Sequence, residues 1–218
     1  MRLDADGLSG RITCPANMRP APGQYLAAAS LEMAEPLPVT LYPSGGDHRE
    51  VEVAPPLPSG WTTGMELTLR GPLGKGFHLP PSTRRLALAS LEGAPYRLLP
   101  LARLGLAQQA AVTIYAQNIP SGLPAEVEVL PLDLLSEAPG WADFIALDVP
   151  QRRLGELRER LGLKPFQRPA CLIQALVIAE MPCGGLARCG VCAVALKRGW
   201  GLACADGPVF DFNQLEGA

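Results

Sequence analysis

The stretch Met181 to Phe210, MPCGGLARCGVCAVALKRGWGLACADGPVF, holds four of the six cysteines in the chain. Cys183, Cys189, Cys192 and Cys204 are separated by five, two and eleven residues. Four thiols in so short a span form a ligand pattern, because thiolate is the soft donor that zinc and iron–sulfur centres select. Zinc ribbons pair two close Cys-x-x-Cys elements, whereas only one close pair stands here. Plant-type [2Fe–2S] centres use Cys-x4-Cys-x2-Cys with a distant fourth cysteine, and the present spacing is that pattern with one extra residue in the first gap. A loop that wraps a cluster has to bring backbone N–H groups to its sulfurs, and Gly184, Gly185 and Gly190 permit the approach. The spacing points to a [2Fe–2S] cluster on Cys183, Cys189, Cys192 and Cys204, with structural zinc as the alternative. Cys14 and Cys171 have no cysteine nearby in sequence and read as structural thiols.

Outside this loop the composition narrows the class. The 218 residues are 48% hydrophobic and carry 19 basic against 21 acidic groups, a formal charge of −2. Such a chain buries a sizeable core, and its balanced charge without a basic run argues against a nucleic-acid partner. The 23 glycines and 23 prolines favour loops and short strands over long helices. The longest apolar stretch, Pro169 to Ala179, contains Gln174 and is shorter than the ~20 residues a membrane span needs. The opening MRLDADGLSG does not have the form of a secretory signal, so a cytoplasmic protein without a membrane span is expected. In a reducing compartment, clustered cysteines read as ligands rather than disulfides.

Three rhythms divide the chain. Residues 1–80 read as a small antiparallel β-barrel, with strands at Gly10–Thr13, Val39–Tyr42, Val51–Val53 and Met65–Leu69 and a loop through Gly71, Pro72, Gly74 and Gly76. Residues 81–165 read as an α/β unit: a strand at Leu86–Ala89, a helix over Arg97–Gln109 and a strand at Val112–Tyr115. Further strands follow at Val127–Val129 and Phe144–Leu147, then a helix over Gln151–Leu161 with Leu154, Leu157 and Leu161 on one face and Glu156 one turn from Arg160. Residues 166–218 read as a metal-organised lobe.

Three motifs along the chain carry a family resemblance: PGQYL (Pro22–Leu26), GMELTLRGPLGKGF (Gly64–Phe77), and CGGLARCGVC (Cys183–Cys192) with ACADGPVF (Ala203–Phe210). Together they resemble the electron-transfer subunit of the two-subunit, NAD-dependent dihydroorotate dehydrogenase, in the ferredoxin-reductase-like flavoprotein superfamily. The resemblance implies a β-barrel plus α/β fold with a C-terminal [2Fe–2S] lobe. It implies FAD on the barrel, NADH on the α/β domain, and electrons passing through the cluster to an FMN-bearing catalytic subunit that oxidises dihydroorotate in pyrimidine biosynthesis. A hetero-oligomer follows. Carried over by motif, the flavin contacts are Pro38, Thr40, Gly71, Gly74 and Gly76.

The departures from the family pattern are specific. Where the family places an arginine, a proline and a serine at the edge of the barrel, this chain has Leu37, Pro38 and Thr40. Leucine cannot replace the charge-assisted phosphate bonds of arginine, so FAD is bound weakly or through other residues. The glycine-rich turn of the nucleotide domain reads ASLEGAPYRLLPLA (Ala89–Ala102). Gly93 and Pro95 remain, but Ser90, Leu91 and Glu92 bring β-carbons and a carboxylate where dinucleotide phosphates would meet backbone N–H groups. NAD binding is expected to be missing. His48 and His78 are too few for a histidine-based site. Lys75 reads as a solvated loop lysine, Asp206 as a turn residue, and Trp200 as either a shield for the cluster or a turn residue packed on its own lobe. The sequence supports an electron-transfer subunit without complete catalysis of its own, or a non-enzymatic cluster-bearing adaptor that has lost both nucleotide cofactors.

Overall fold

The computed structural model describes residues 1–3, 9–31, 37–120 and 122–217. Its first part is two antiparallel sheets. One is built from β1 (Arg2–Leu3), β2 (Gly10–Thr13), β5 (Pro43–Gly46) and β6 (Glu50–Val53) in the order β1-β2-β6-β5. The other places β3 (Tyr25–Ser30) between β4 (Val39–Leu41) and β7 (Leu67–Leu73). Strand alternation turns Ile12, Leu26, Ala28, Leu41 and Val53 inward, where they meet Leu57, Trp61 and Met65 in one apolar core. The barrel read from the sequence is therefore present.

Its last strand differs from the expectation. β7 runs through Gly71 and Pro72, which the composition suggested were loop residues. Proline lacks an N–H but is tolerated because β7 is an edge strand paired only with β3. An added β-carbon on Gly71 would lie 2.4 Å from Leu26 Cδ2, so the strand closes tightly on β3 there.

Next comes a six-stranded sheet: β8 (Arg85–Ser90), β9 (Ala111–Tyr115), β10 (Val127–Leu130), β11 (Phe144–Pro150), β12 (Leu172–Ile178) and β15 (Val209–Asp211), in the order β10-β9-β8-β11-β12-β15. All neighbours are parallel except β12 and β15. Parallel strands buried on both faces are mostly apolar, and β11 is buried from Phe144 through Pro150 with Asp148 its one charged residue. Leu86, Leu88, Phe144 and Ala146 face α1 (Leu99–Ala107), and Gly105 lets that helix close on Leu86. Ala87, Ala89, Ile145, Leu147 and Val149 face the opposite core.

The helix expected over Gln151–Leu161 is a 3-10 turn over Gln151–Glu156 followed by the single α-turn α3 (Leu157–Arg160). Gly155 weakens the middle of the segment. The apolar face survives, since Leu154, Leu157 and Leu161 are buried, and Arg160 lies 3.8 Å from Glu156. An α-turn of the same length, α2 (Ala138–Trp141), precedes β11. Both β12 and β15 join the sheet although they lie beyond residue 165, where the sequence rhythm changes. Between them stands the hairpin of β13 (Ala193–Leu196) and β14 (Gly199–Leu202). No helix among the described residues is long and apolar enough to cross a membrane.

The loop after β7 joins the first part of the chain to the last. Lys75 N–H donates to the Gly207 carbonyl, Val209 N–H lies 3.4 Å from the Lys75 carbonyl, and Gly74 sits at φ +73 with Pro208 against it. A β-carbon on Gly74 would lie 2.5 Å from Pro208 Cδ and 2.8 Å from the Gly207 carbonyl oxygen. Gly74→Ala is therefore expected to cost about 2–4 kcal/mol from left-handed strain plus overpacking. Urea unfolding measures this, and a loss below about 0.5 kcal/mol would show that the joint does not carry the load assigned here.

Candidate iron–sulfur centre

Cysteine placement follows from the elements around it. Met181 ends the approach from β12, and Gly184 N–H donates to the Met181 carbonyl at 2.8 Å, turning the chain back at Cys183. Gly184, Gly185, Ala187 and Gly190 take φ values of +58, +84, +56 and +72. Repeated left-handed residues rotate successive N–H groups toward one side, the geometry of an anion-binding nest. The Cys183 sulfur accepts N–H bonds from Leu186, Arg188 and Cys189. Cys204 accepts one from Ala187. The N–H groups that act on sulfur belong to Leu186, Ala187, Arg188 and Cys189, while Gly184 and Gly185 supply left-handed backbone ahead of them, and Ala187 adopts the same strained region without being glycine.

The eleven-residue gap between Cys192 and Cys204 is the β13–β14 hairpin. Its strands leave Cys192 and return to Ala203, whose N–H donates to the Cys192 carbonyl at 2.9 Å. Both ends of the hairpin are thereby held together, and the two cysteine thiols lie in hydrogen-bonding contact. Cys183 and Cys189 form a second such pair. Cys192 and Cys204 are buried, Cys183 half-buried and Cys189 exposed.

The electrostatics differ between the pairs. N–H bonds, first from Arg188, hold the Cys183 thiol down at about 6, so it favours the thiolate that a metal requires. Burial, reinforced by the adjoining Cys192, pushes Cys204 up to about 12. The two pairs face each other closely enough for Cys183 to act on Cys204. Among the described residues, no three His, Cys, Asp or Glu side chains close on a single ion position. The four thiols are thus arranged as two pairs, Cys183 with Cys189 and Cys192 with Cys204. Cys14 is buried and Cys171 half-buried, both apart from the four.

Of the proposed flavin contacts, Pro38 and Thr40 are half-buried on the outer face of the β4-β3-β7 sheet, and Leu37 is 53% exposed. Thr40 pairs with Ala27 and Ala27 with Arg70, so these three share the face opposite the barrel core. A β-carbon on Gly184 would lie 2.5 Å from Pro38 Cγ and 3.4 Å from Arg70 Nη2, which sets an arginine beside Pro38 although Leu37 is not one. Gly71 and Gly74 pack against Leu26 and Pro208, and Gly76 against the Pro22 carbonyl. His48 and His78 are exposed, and Trp200 is 73% exposed. The Asp206 carboxylate caps its own turn by accepting from Leu202 N–H.

In an open parallel sheet, nucleotides bind where the strand order reverses, here between the C-terminal ends of β8 and β11. Several side chains meet there. Leu91 is buried, and its N–H donates to the Asp148 carbonyl. Arg97 Nε lies 2.9 Å from Asp148 Oδ2, with side-chain exposures of 19% and 1%. Arg153 donates to the Leu91 carbonyl, and Arg152 pairs with Glu92. Neither Arg97 nor Asp148 was singled out from sequence, since no local pattern marks an ion pair across 51 positions.

Comparison with known proteins agrees with this architecture. The fold matches that of an NADH-dependent reduced ferredoxin-NADP oxidoreductase solved to explain flavin-based electron bifurcation, with a TM-score of 0.73 at 16% identity over 95% of this chain and 84% of that one. A ferredoxin reductase in carbazole 1,9a-dioxygenase gives 0.52 at 16% identity, covering 71% of this chain and 58% of its own. An intact type IV self-sufficient cytochrome P450 monooxygenase gives 0.54 at 14% identity over 88% and 34%. No curated protein matches the sequence. The fold is thus ferredoxin-reductase-like, with an iron–sulfur domain at its C-terminal end. Residues 179–216 match the iron–sulfur cluster binding domain of dihydroorotate dehydrogenase B.

Two outcomes test the site. Serine at Cys183, Cys189, Cys192 or Cys204 is expected to remove most bound iron, whereas Cys14→Ser and Cys171→Ser leave it unchanged; iron and acid-labile sulfide per chain measure both. For the crevice, Arg97→Leu leaves the Asp148 carboxylate buried without its cation, at a cost of about 3–5 kcal/mol near neutral pH. Burial raises the Asp148 carboxyl above the ordinary range and Arg97 opposes that rise. The folded state thus holds this proton more tightly than the unfolded one, and stability from this group falls as pH rises toward its folded value. Removing Arg97 deepens the fall, so urea unfolding should show a smaller loss at about pH 4 than at about pH 8, and equal losses would contradict the assignment.

Proposed function

We propose that this chain passes single electrons through a [2Fe–2S] cluster, to or from a flavin in a partner oxidoreductase, with the FMN-bearing catalytic subunit of a dihydroorotate dehydrogenase as first candidate. The observation that carries the reading is the pairing of Cys183 with Cys189 and of Cys192 with Cys204 inside a loop whose N–H groups point at sulfur. Bound there, the cluster supplies a one-electron carrier. The surrounding residues do the rest: the nest at 184–190 offsets negative charge, the hairpin fixes the buried pair, and exposed Cys189 leaves one side open to a partner. In this reading the chain is cytoplasmic and works as part of a hetero-oligomer, with 1–80 as barrel, 81–165 as the body of the α/β unit and 166–218 as the cluster-bearing remainder.

FAD fits the outer face of the β4-β3-β7 sheet in this reading. Thr40 is half-buried on that face beside small Ala27, and Arg70 offers the phosphate-directed charge that Leu37 lacks. The backbone of Gly71, Gly74 and Gly76 borders it. NADH is not expected to bind in this reading, and the buried Leu91 and the Arg97–Asp148 pair at the switch-point crevice support that expectation. That observation favours a second reading, a cluster-bearing adaptor that takes no electrons from NADH and serves another oxidoreductase complex.

Anaerobic purification with iron, sulfide, zinc and flavin analysis, followed by NADH titration, separates the readings. We expect two irons and two sulfides per chain. Flavin bleached by NADH would support a complete reductase, whereas a cluster spectrum indifferent to NADH would support the adaptor. A zinc-loaded, iron-free protein would exclude both.

A further inference from the structure

Among the described residues Tyr25 is the largest side chain with no exposed surface, and it lies on β3 of the barrel rather than in the cysteine loop. Its position on β3 turns it to the outer face of the sheet, toward the cysteine loop. There the phenol oxygen donates to the Cys204 carbonyl at 3.2 Å, across 179 positions of sequence. The same oxygen occupies the notch left by Gly185, where a β-carbon would lie 2.4 Å from it, and the ring edge lies against Gly74. Three of the four thiols, those of Cys204, Cys192 and Cys183, are near enough to act on the phenol electrostatically. On its far side the ring meets Tyr42, with centroids 5.9 Å apart, and the Arg97 guanidinium lies 5.9 Å over Tyr42. The phenol is thus held from behind by a buried column that ends in the Arg97–Asp148 pair.

We propose that Tyr25 is a positioning residue for the iron–sulfur cluster, its hydroxyl fixing the Cys204 carbonyl and thereby the reduction potential of the centre. The inference rests on the cluster reading above. A buried carbonyl beside a cluster presents its negative end to a site that gains charge on reduction. The phenol proton partly cancels that end and favours the reduced state. Removing the proton while keeping the ring leaves the packing intact and the carbonyl uncompensated, so the cluster becomes harder to reduce.

Tyr25→Phe isolates the hydroxyl. The full chain and the variant are each loaded with cluster, analysed for iron and sulfide, and titrated with dithionite while the reduced state is followed by electron paramagnetic resonance. The expected result is wild-type iron content, a melting temperature lowered by a few degrees by the unpaired carbonyl, a changed resonance anisotropy, and a reduction equilibrium shifted about fivefold toward the oxidised form. For one electron that is about −40 mV, at 59 mV per tenfold. An unchanged potential and resonance in a fully loaded variant overturn the proposal while leaving the cluster reading intact. A wild-type chain that takes up no iron overturns both. A purely structural role would lower the melting temperature of the variant without moving the potential of the clusters that remain, and that outcome also counts against the proposal.

Discussion

A two-stranded hairpin is too small to hold a metal centre rigid on its own, and this constraint shapes the rest of the molecule. The β13–β14 pair carries Cys192 and Cys204 at its base, and its buried residues Val194 and Ala203 belong to the same core as Ile145, Leu147, Val177 and Phe210 of the large sheet. The sheet in turn takes β15 back from the far side of the cysteine loop, so the loop is clamped between two strands of one sheet. The barrel closes the remaining side through Tyr25, Gly74 and the Lys75–Gly207 bond. Ligand geometry is therefore a property of the whole chain. Each of the three parts contributes a surface that the other two leave uncovered.

This arrangement explains why the glycine loop after β7 is so dense in glycine. In a flavoprotein such a loop invites a cofactor reading, and the packing shows a second use. Gly71 lets β7 approach Leu26, Gly74 admits Pro208, and Gly76 admits the Pro22 carbonyl. A loop with side chains at those positions would hold the cluster lobe away from the barrel, leaving Tyr25 short of the Cys204 carbonyl. The sequence motif and the cluster are linked through backbone contact.

Much of this architecture was legible beforehand, and the limits were physical. Short strands such as Gly10–Thr13 and Glu50–Val53 announce themselves by alternation, and the buried parallel strands by continuous apolar runs. Four cysteines marked the site because ligand chemistry tolerates few substitutes. β12 was visible only as an apolar stretch, and β15 and the β13–β14 hairpin were hidden among glycines, since their partners lie far along the chain. Tyr25 stood within a quoted motif, yet nothing local tells an outward-facing tyrosine on a short strand from one that reaches a ligand 179 residues away. Arg70 was obscured in the same way, because the position that drew attention was Leu37, and only strand register places an arginine on the face it left.

The switch-point crevice and the cysteine loop are two ends of one packed column. Asp148 holds Arg97, Arg97 lies over Tyr42, Tyr42 meets Tyr25, and Tyr25 reaches Cys204. Parting the buried ion pair would leave the Asp148 carboxylate without its cation, at a cost of several kcal/mol. It would also release the cation that lies over Tyr42 behind Tyr25. Rearranging the end of β8 and backing Tyr25 therefore draw on the same side chains.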